Sequence, residues 1–148
     1  MFIYIIILWF ASALLAYALS LNGATLFIGK SVSSTNSATG FQDAITPPWS
    51  TKVAILAYLV SIVVIGYGWY LNSWIVAIII TLSFFVLVAI NKNVIIPKSD
   101  SEYFKRIIMN SMMQRYANCV KSGDSVRATA VAMLLAKLGA PVPDEFQQ

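Results

Sequence analysis

The chain has 148 residues, 59% hydrophobic and 11% charged, with ten lysines and arginines against six aspartates and glutamates. Soluble domains average nearer half apolar and a quarter charged. A mean hydropathy of +0.76 is more apolar surface than so short a chain can bury, which points to an integral membrane protein. With no histidine and a single cysteine, Cys119, most metal, haem and acid–base constellations lack parts. No cofactor, no metal and no enzymatic activity are expected.

The first block, residues 1–21, reads MFIYIIILWFASALLAYALSL, and the first charged side chain is Lys30. A spanning helix needs about 20 mostly apolar residues, so the block predicts a first transmembrane helix. A cleaved signal peptide ending at Ala16-Tyr17-Ala18 is the alternative. The lack of Lys or Arg before the run, and a run longer than the usual h-region, favour an uncleaved span. Ser12, Ala16 and Ser20 recur every four residues, a small-residue seam that lets helices approach closely in lipid.

Residues 22–52 form the first loop, expected on the cytoplasmic side. Its centre, Ser31 to Gly40, is rich in serine and threonine. It reads either as a flexible linker or as a loop ordered against a partner through Phe27, Ile28 and Phe41. Gly29-Lys30-Ser31 lacks the glycine that a phosphate-binding loop needs at position 24, which is Ala24, and no strand precedes it. Nucleotide binding is rejected. Thr46 before Pro47-Pro48 makes a helix start, with a hydroxyl N-cap and proline at the first helical position.

From Val53 to Asn91 no residue is charged. As one helix this stretch would reach about 58 Å, twice the hydrocarbon thickness, so it must break, and Asn72-Ser73 is the adjacent polar pair near its middle. Two transmembrane helices follow, 53–71 and 74–91. Trp69, Tyr70 and Trp74 cluster at the turn and Trp49 lies just before the pair, placing amphipathic rings at both interfaces. Ala57, Ser61 and Gly66, with Ala54 and Gly68, lighten faces of the second span for packing. The third lacks such a seam and carries Phe84-Phe85, so it is expected to face lipid. None of the three spans holds an ionisable Asp, Glu, Lys or Arg, which argues against a carrier or pump.

The tail, 98–148, reads as an αα-hairpin. Ser99-Asp100-Ser101-Glu102 spells a capping box with Ser99 at the N-cap. Phe104, Ile107, Ile108, Met112, Tyr116, Cys119 and Val120 follow at helical spacing, and Gly123 ends the helix. Asp124 or Ser122 can cap a second helix with its stripe at Val126, Ala130, Met133, Leu134 and Leu138, closed by Gly139 and Pro141. Two helices bury little between them. Phe104, Ile108, Met112 and Tyr116 are therefore expected to face a partner. Cys119 reads as a small packed hydrophobe. Asp100/Glu102 suits a helix start and Asp144/Glu145 a polar terminus.

In a three-span arrangement all ten cations fall on one side, two in the loop and eight in the tail, and none on the other. The positive-inside rule then sets the N-terminus outside and the tail in the cytoplasm, in a bacterial inner membrane. The expected fold is an all-α integral membrane protein, three transmembrane helices followed by a cytoplasmic amphipathic helical hairpin. The expected function is a non-catalytic accessory subunit of a multi-subunit membrane complex, docking on other integral membrane subunits through the Ser12/Ala16/Ser20 seam and the hairpin. Basic residues near the membrane would attract anionic lipid. No nucleic acid and no small-molecule substrate are expected. The alternatives are a small homo-oligomeric pore former of the holin kind, which the chain resembles in layout only, and an anchor recruiting a soluble protein.

Overall fold

The computed structural model describes residues 2–32, 45–71 and 73–140, all helical or in turns, with no strand among them. The helices are α1 (Phe2–Val32), α2 (Ser50–Leu71), α3 (Trp74–Ile90) continued by a π turn (Asn91–Ile95), α4 (Glu102–Ser122) and α5 (Ser125–Lys137). Three of them, α1, α2 and α3 with its π turn, are long and apolar enough to cross a membrane. The chain divides into two compact units. The first comprises Met1–Gly23 and Pro48–Ser99, the second Ala24–Pro47 and Asp100–Gln148.

The first unit is a bundle of α1, α2 and α3. Its buried core joins Leu8, Ala11, Leu15, Ala16 and Ala18 of α1 to Ala57 and Val64 of α2 and Phe84 and Val88 of α3. Small side chains on α1 and α2 admit the larger ones of α3, the large-against-small fit that close packing requires. Tyr4 Oη donates to the Val64 carbonyl at 3.0 Å and Asn91 Nδ2 to Ser12 Oγ at 2.8 Å. These contacts run α1 antiparallel to α2 and parallel to α3. Phe84 is buried in this core while Phe85 is exposed, so the Phe84-Phe85 pair is split between core and surface and does not face lipid as a unit.

Helix α1 does not stop at Leu21 but continues to Val32. The first third of the segment expected as loop is thus helical, and within it Gly23 serves a close approach. A Cβ built there would lie 2.6 Å from Ser99 Oγ and 3.3 Å from Ser99 Cβ. Beyond it Ala24, Thr25, Ile28 and Val32 form a second buried stripe at helical spacing, and Lys30 in the last turn suits the helix dipole. The centre of the Ser/Thr-rich loop, including Phe41, lies outside the described residues, as do Asp144/Glu145. Helix α2 begins later than Thr46-Pro47 implies, with Val53 N–H donating to the Trp49 carbonyl at 3.0 Å.

In the second unit α4 and α5 pack as a hairpin. Glycines at φ +73, Gly123 and Gly139, close the two helices. In each case the glycine N–H and the next residue's N–H return to carbonyls of the last turn, Val120 and Cys119 for α4, Ala136 and Leu135 for α5, the glycine-closed C-terminus that left-handed backbone permits. Asp124 caps α5, its Oδ1 accepting from Arg127 N–H at 3.1 Å. The capping box at Ser99 is not formed. The N-cap of α4 is Ser101, without a side-chain cap bond, and its hydroxyl is buried with no hydrogen-bond partner among the described residues. Glu102 instead stands 3.5 Å from Lys105 Nζ, an exposed pair of little energetic weight.

Candidate functional site

The chemistry available is packing, so the candidate site is a set of surfaces. The Ser12, Ala16 and Ser20 seam is fully buried inside the single chain, as are Ala57 and Ser61. Ser12 Oγ donates to the Trp9 carbonyl at 2.7 Å and Ser61 Oγ to the Ala57 carbonyl at 2.6 Å, so both hydroxyls bond back to their own helix and let neighbouring backbones close in. The seam is thus buried within the chain, Ala16 in one core with Ala57, Val64, Phe84 and Val88 and Ser12 bonded to Asn91. Gly66, expected to pack, is exposed with open space around it. Gly68 takes that role, where a Cβ would lie 3.2 Å from Ile80 Cγ2.

The four aromatic anchors lie on the outside. Tyr70 is 85% exposed, and Trp49, Trp69 and Trp74 are exposed in lesser degree. Trp69 has a second task. Its Nε1–H donates to Thr81 Oγ1 at 3.0 Å, and Thr81 donates to the Ala77 carbonyl at 2.9 Å, tying α2 to α3 beside their turn.

A groove of about 1240 Å³ opens on the first unit among Ile3, Tyr4 and Ile7 of α1, Tyr67 of α2, and Ile79 and Val86 of α3. Its walls are branched aliphatic chains and two tyrosine rings 6.4 Å apart. Hydropathy cannot reveal such a groove, since it reports that these residues are apolar but not that three helices leave a gap between them.

The hairpin reverses the expected faces. Phe104, Ile108 and Met112 are fully buried and Tyr116 nearly so, so these four are covered within the chain and are not open to a partner. Arg115 Nη2 donates to the Thr46 carbonyl at 2.7 Å, fastening the segment before Pro47 to α4. On α5 the core residues are Ala128, Val131, Ala132, Leu134 and Leu135, whereas Val126 is 79% and Met133 63% exposed. Of the apolar stripe expected on this helix, Val126, Ala130 and Met133 lie outward and Leu134 is in the core. Cys119 is half-buried and free. Among the described residues no three cysteine, aspartate or glutamate side chains gather where they could hold a metal ion. No protein-family model matches the chain, and no curated protein or solved structure matches it.

Proposed function

We propose that the chain is a non-catalytic accessory subunit of a larger membrane complex, seating a partner's transmembrane helix in the groove on its first unit. The groove carries this reading. It is apolar, lies along three helices long enough to span a bilayer, and is lined in part by exposed aliphatic side chains, Ile3, Ile7, Ile79 and Val86. In lipid, association of helices rests on such shape and van der Waals fit. Because the small-residue seam is used internally, docking falls to the groove. Mild-detergent purification followed by mass spectrometry tests it. Unlike membrane subunits should co-purify, and Ile79→Trp, which fills the groove from an exposed position, should lower their recovery about tenfold, equivalent to about 1.4 kcal/mol of association. Homo-oligomers alone, as a holin-like pore would give, would overturn it. The outward Val126/Met133 stripe of α5 favours one further contact, with a soluble partner, and its recovery would identify the chain as an anchor.

We further propose that the N-terminus lies outside and that the segment joining α1 to α2 and the tail hairpin lie in the cytoplasm, the membrane being a bacterial inner membrane. The support is the one-sided distribution of the ten cations, which would also hold anionic lipid headgroups near Lys92, Lys98, Lys105 and Arg106. A reporter fused after Gln148 should read cytoplasmic; a periplasmic signal reverses the orientation.

A further inference from the structure

Asn91 sits where the third apolar helix ceases to be α-helical. Its backbone N–H points to the Leu87 and Val88 carbonyls. Its own carbonyl accepts from Ile96 N–H at 2.8 Å, five residues on, which opens the last turn, Asn91–Ile95, into π geometry. The Asn91 side chain is buried to 1% exposure. Its Nδ2 donates to Ser12 Oγ, and Ser12 Oγ donates in turn to the Trp9 carbonyl, a donor chain running from α3 into α1. Asn91 Oδ1 is buried and accepts nothing from any described residue. An amide half satisfied in apolar surroundings is costly, so its placement needs a reason beyond filling space.

We propose that Asn91 and Ser12 form a polar lock that fixes the register of α1 against α3 and holds the end of α3 in its π turn. The buried core that these helices share holds the apolar side chains of Ala11, Leu15, Phe84 and Val88. Apolar surfaces tolerate a slip along the axis, whereas a buried amide that slips loses its partner with no water to replace it. Register specification is the best-attested role of isolated buried polar groups. π turns are rare and concentrate where a helix does something other than continue. Released from Ser12, Asn91 can let its carbonyl take Ile95 N–H, the α spacing, and the chain beyond then turns by about 100°, one residue's rotation. The lock therefore sets the direction in which the exposed Val94 and Ile95 leave the bundle.

The test uses the full chain in lipid nanodiscs with Ser12→Ala, Asn91→Leu and the double variant. Two readouts are taken, the folding equilibrium of each and hydrogen exchange at the Ile96 amide by NMR. The lock gives a coupling between the two substitutions of about threefold in the folding constant, the typical size for hydrogen bonds between helices in lipid. It also makes Ile96 exchange about threefold faster in either single variant, a change that a space-filling contact would not produce. Additive effects of the two substitutions, or an Ile96 amide protected as in the parent, overturn the proposal. Should Asn91→Leu not fold, Ser12→Ala alone decides through the Ile96 amide.

Discussion

Ser12→Leu combined with Ala16→Leu is expected to unfold the three-helix bundle. Both positions have no exposed surface and lie in or beside the core where α1 meets Ala57, Val64, Phe84 and Val88. Forcing extra methylenes into such packing costs about 1–3 kcal/mol per site. Removing the Ser12 hydroxyl also strips Asn91 Nδ2 of its acceptor, adding about 1–3 kcal/mol for a buried polar group left bare. The total is comparable with the whole stability of an ordinary domain, about 5–15 kcal/mol. Detergent-unfolding curves of the purified chain would show it as loss of the cooperative transition. Exposed Ile3 and Ile6 of the same helix serve as controls, since Ile→Leu there should leave the midpoint in place. A double variant as stable as the parent would mean that the seam faces outward after all.

In the second unit Phe104→Ala should cost about 3–5 kcal/mol, the usual loss when a buried ring is truncated and a cavity remains. Met133→Ser and Val126→Ser on the outward stripe of α5 should stay within about 0.5 kcal/mol, as exposed positions do. Limited proteolysis of the full chain reads this contrast directly, through accelerated cleavage within 102–137 for the first variant alone. A stable Phe104→Ala protein would restore the view that this side chain faces a partner.

That contrast also marks where the sequence stops being legible. The long apolar helices are readable because hydrophobic length is a local property. The break at Asn72-Ser73, the α4–α5 turn at Gly123 and the Asp124 cap are readable because turn chemistry is local too. The face that a helix buries is less so. In α5 the segment Val126-Arg127-Ala128-Thr129-Ala130-Val131-Ala132-Met133-Leu134-Leu135 carries apolar or small residues on every side, so choosing the larger ones picks Val126 and Met133. The structure buries Ala128, Val131, Ala132 and Leu135, having turned the helix to fit what lies against it. The end expected at Leu21 misleads for a similar reason. The apolar run stops there, and the approach of Ser99 to Gly23, 76 positions away in sequence, is a tertiary contact that hydropathy does not register. The small-residue seam is visible in the sequence, but whether the chain's own helices or another protein's fill it depends on tertiary structure.

Trp49 and Trp69 stand at opposite ends of the second apolar helix, the first at its N-cap and the second two residues before Leu71. Twenty residues of rise set their backbones about 30 Å apart. Because Trp69 is also tied to Thr81, that spacing is held by the bundle rather than by one flexible side chain. Inserted as proposed, the molecule is a gauge of fixed length. It matches a hydrocarbon layer of about 30 Å and must tilt or deform the lipid in a thinner one, so membrane thickness itself would sort where it resides.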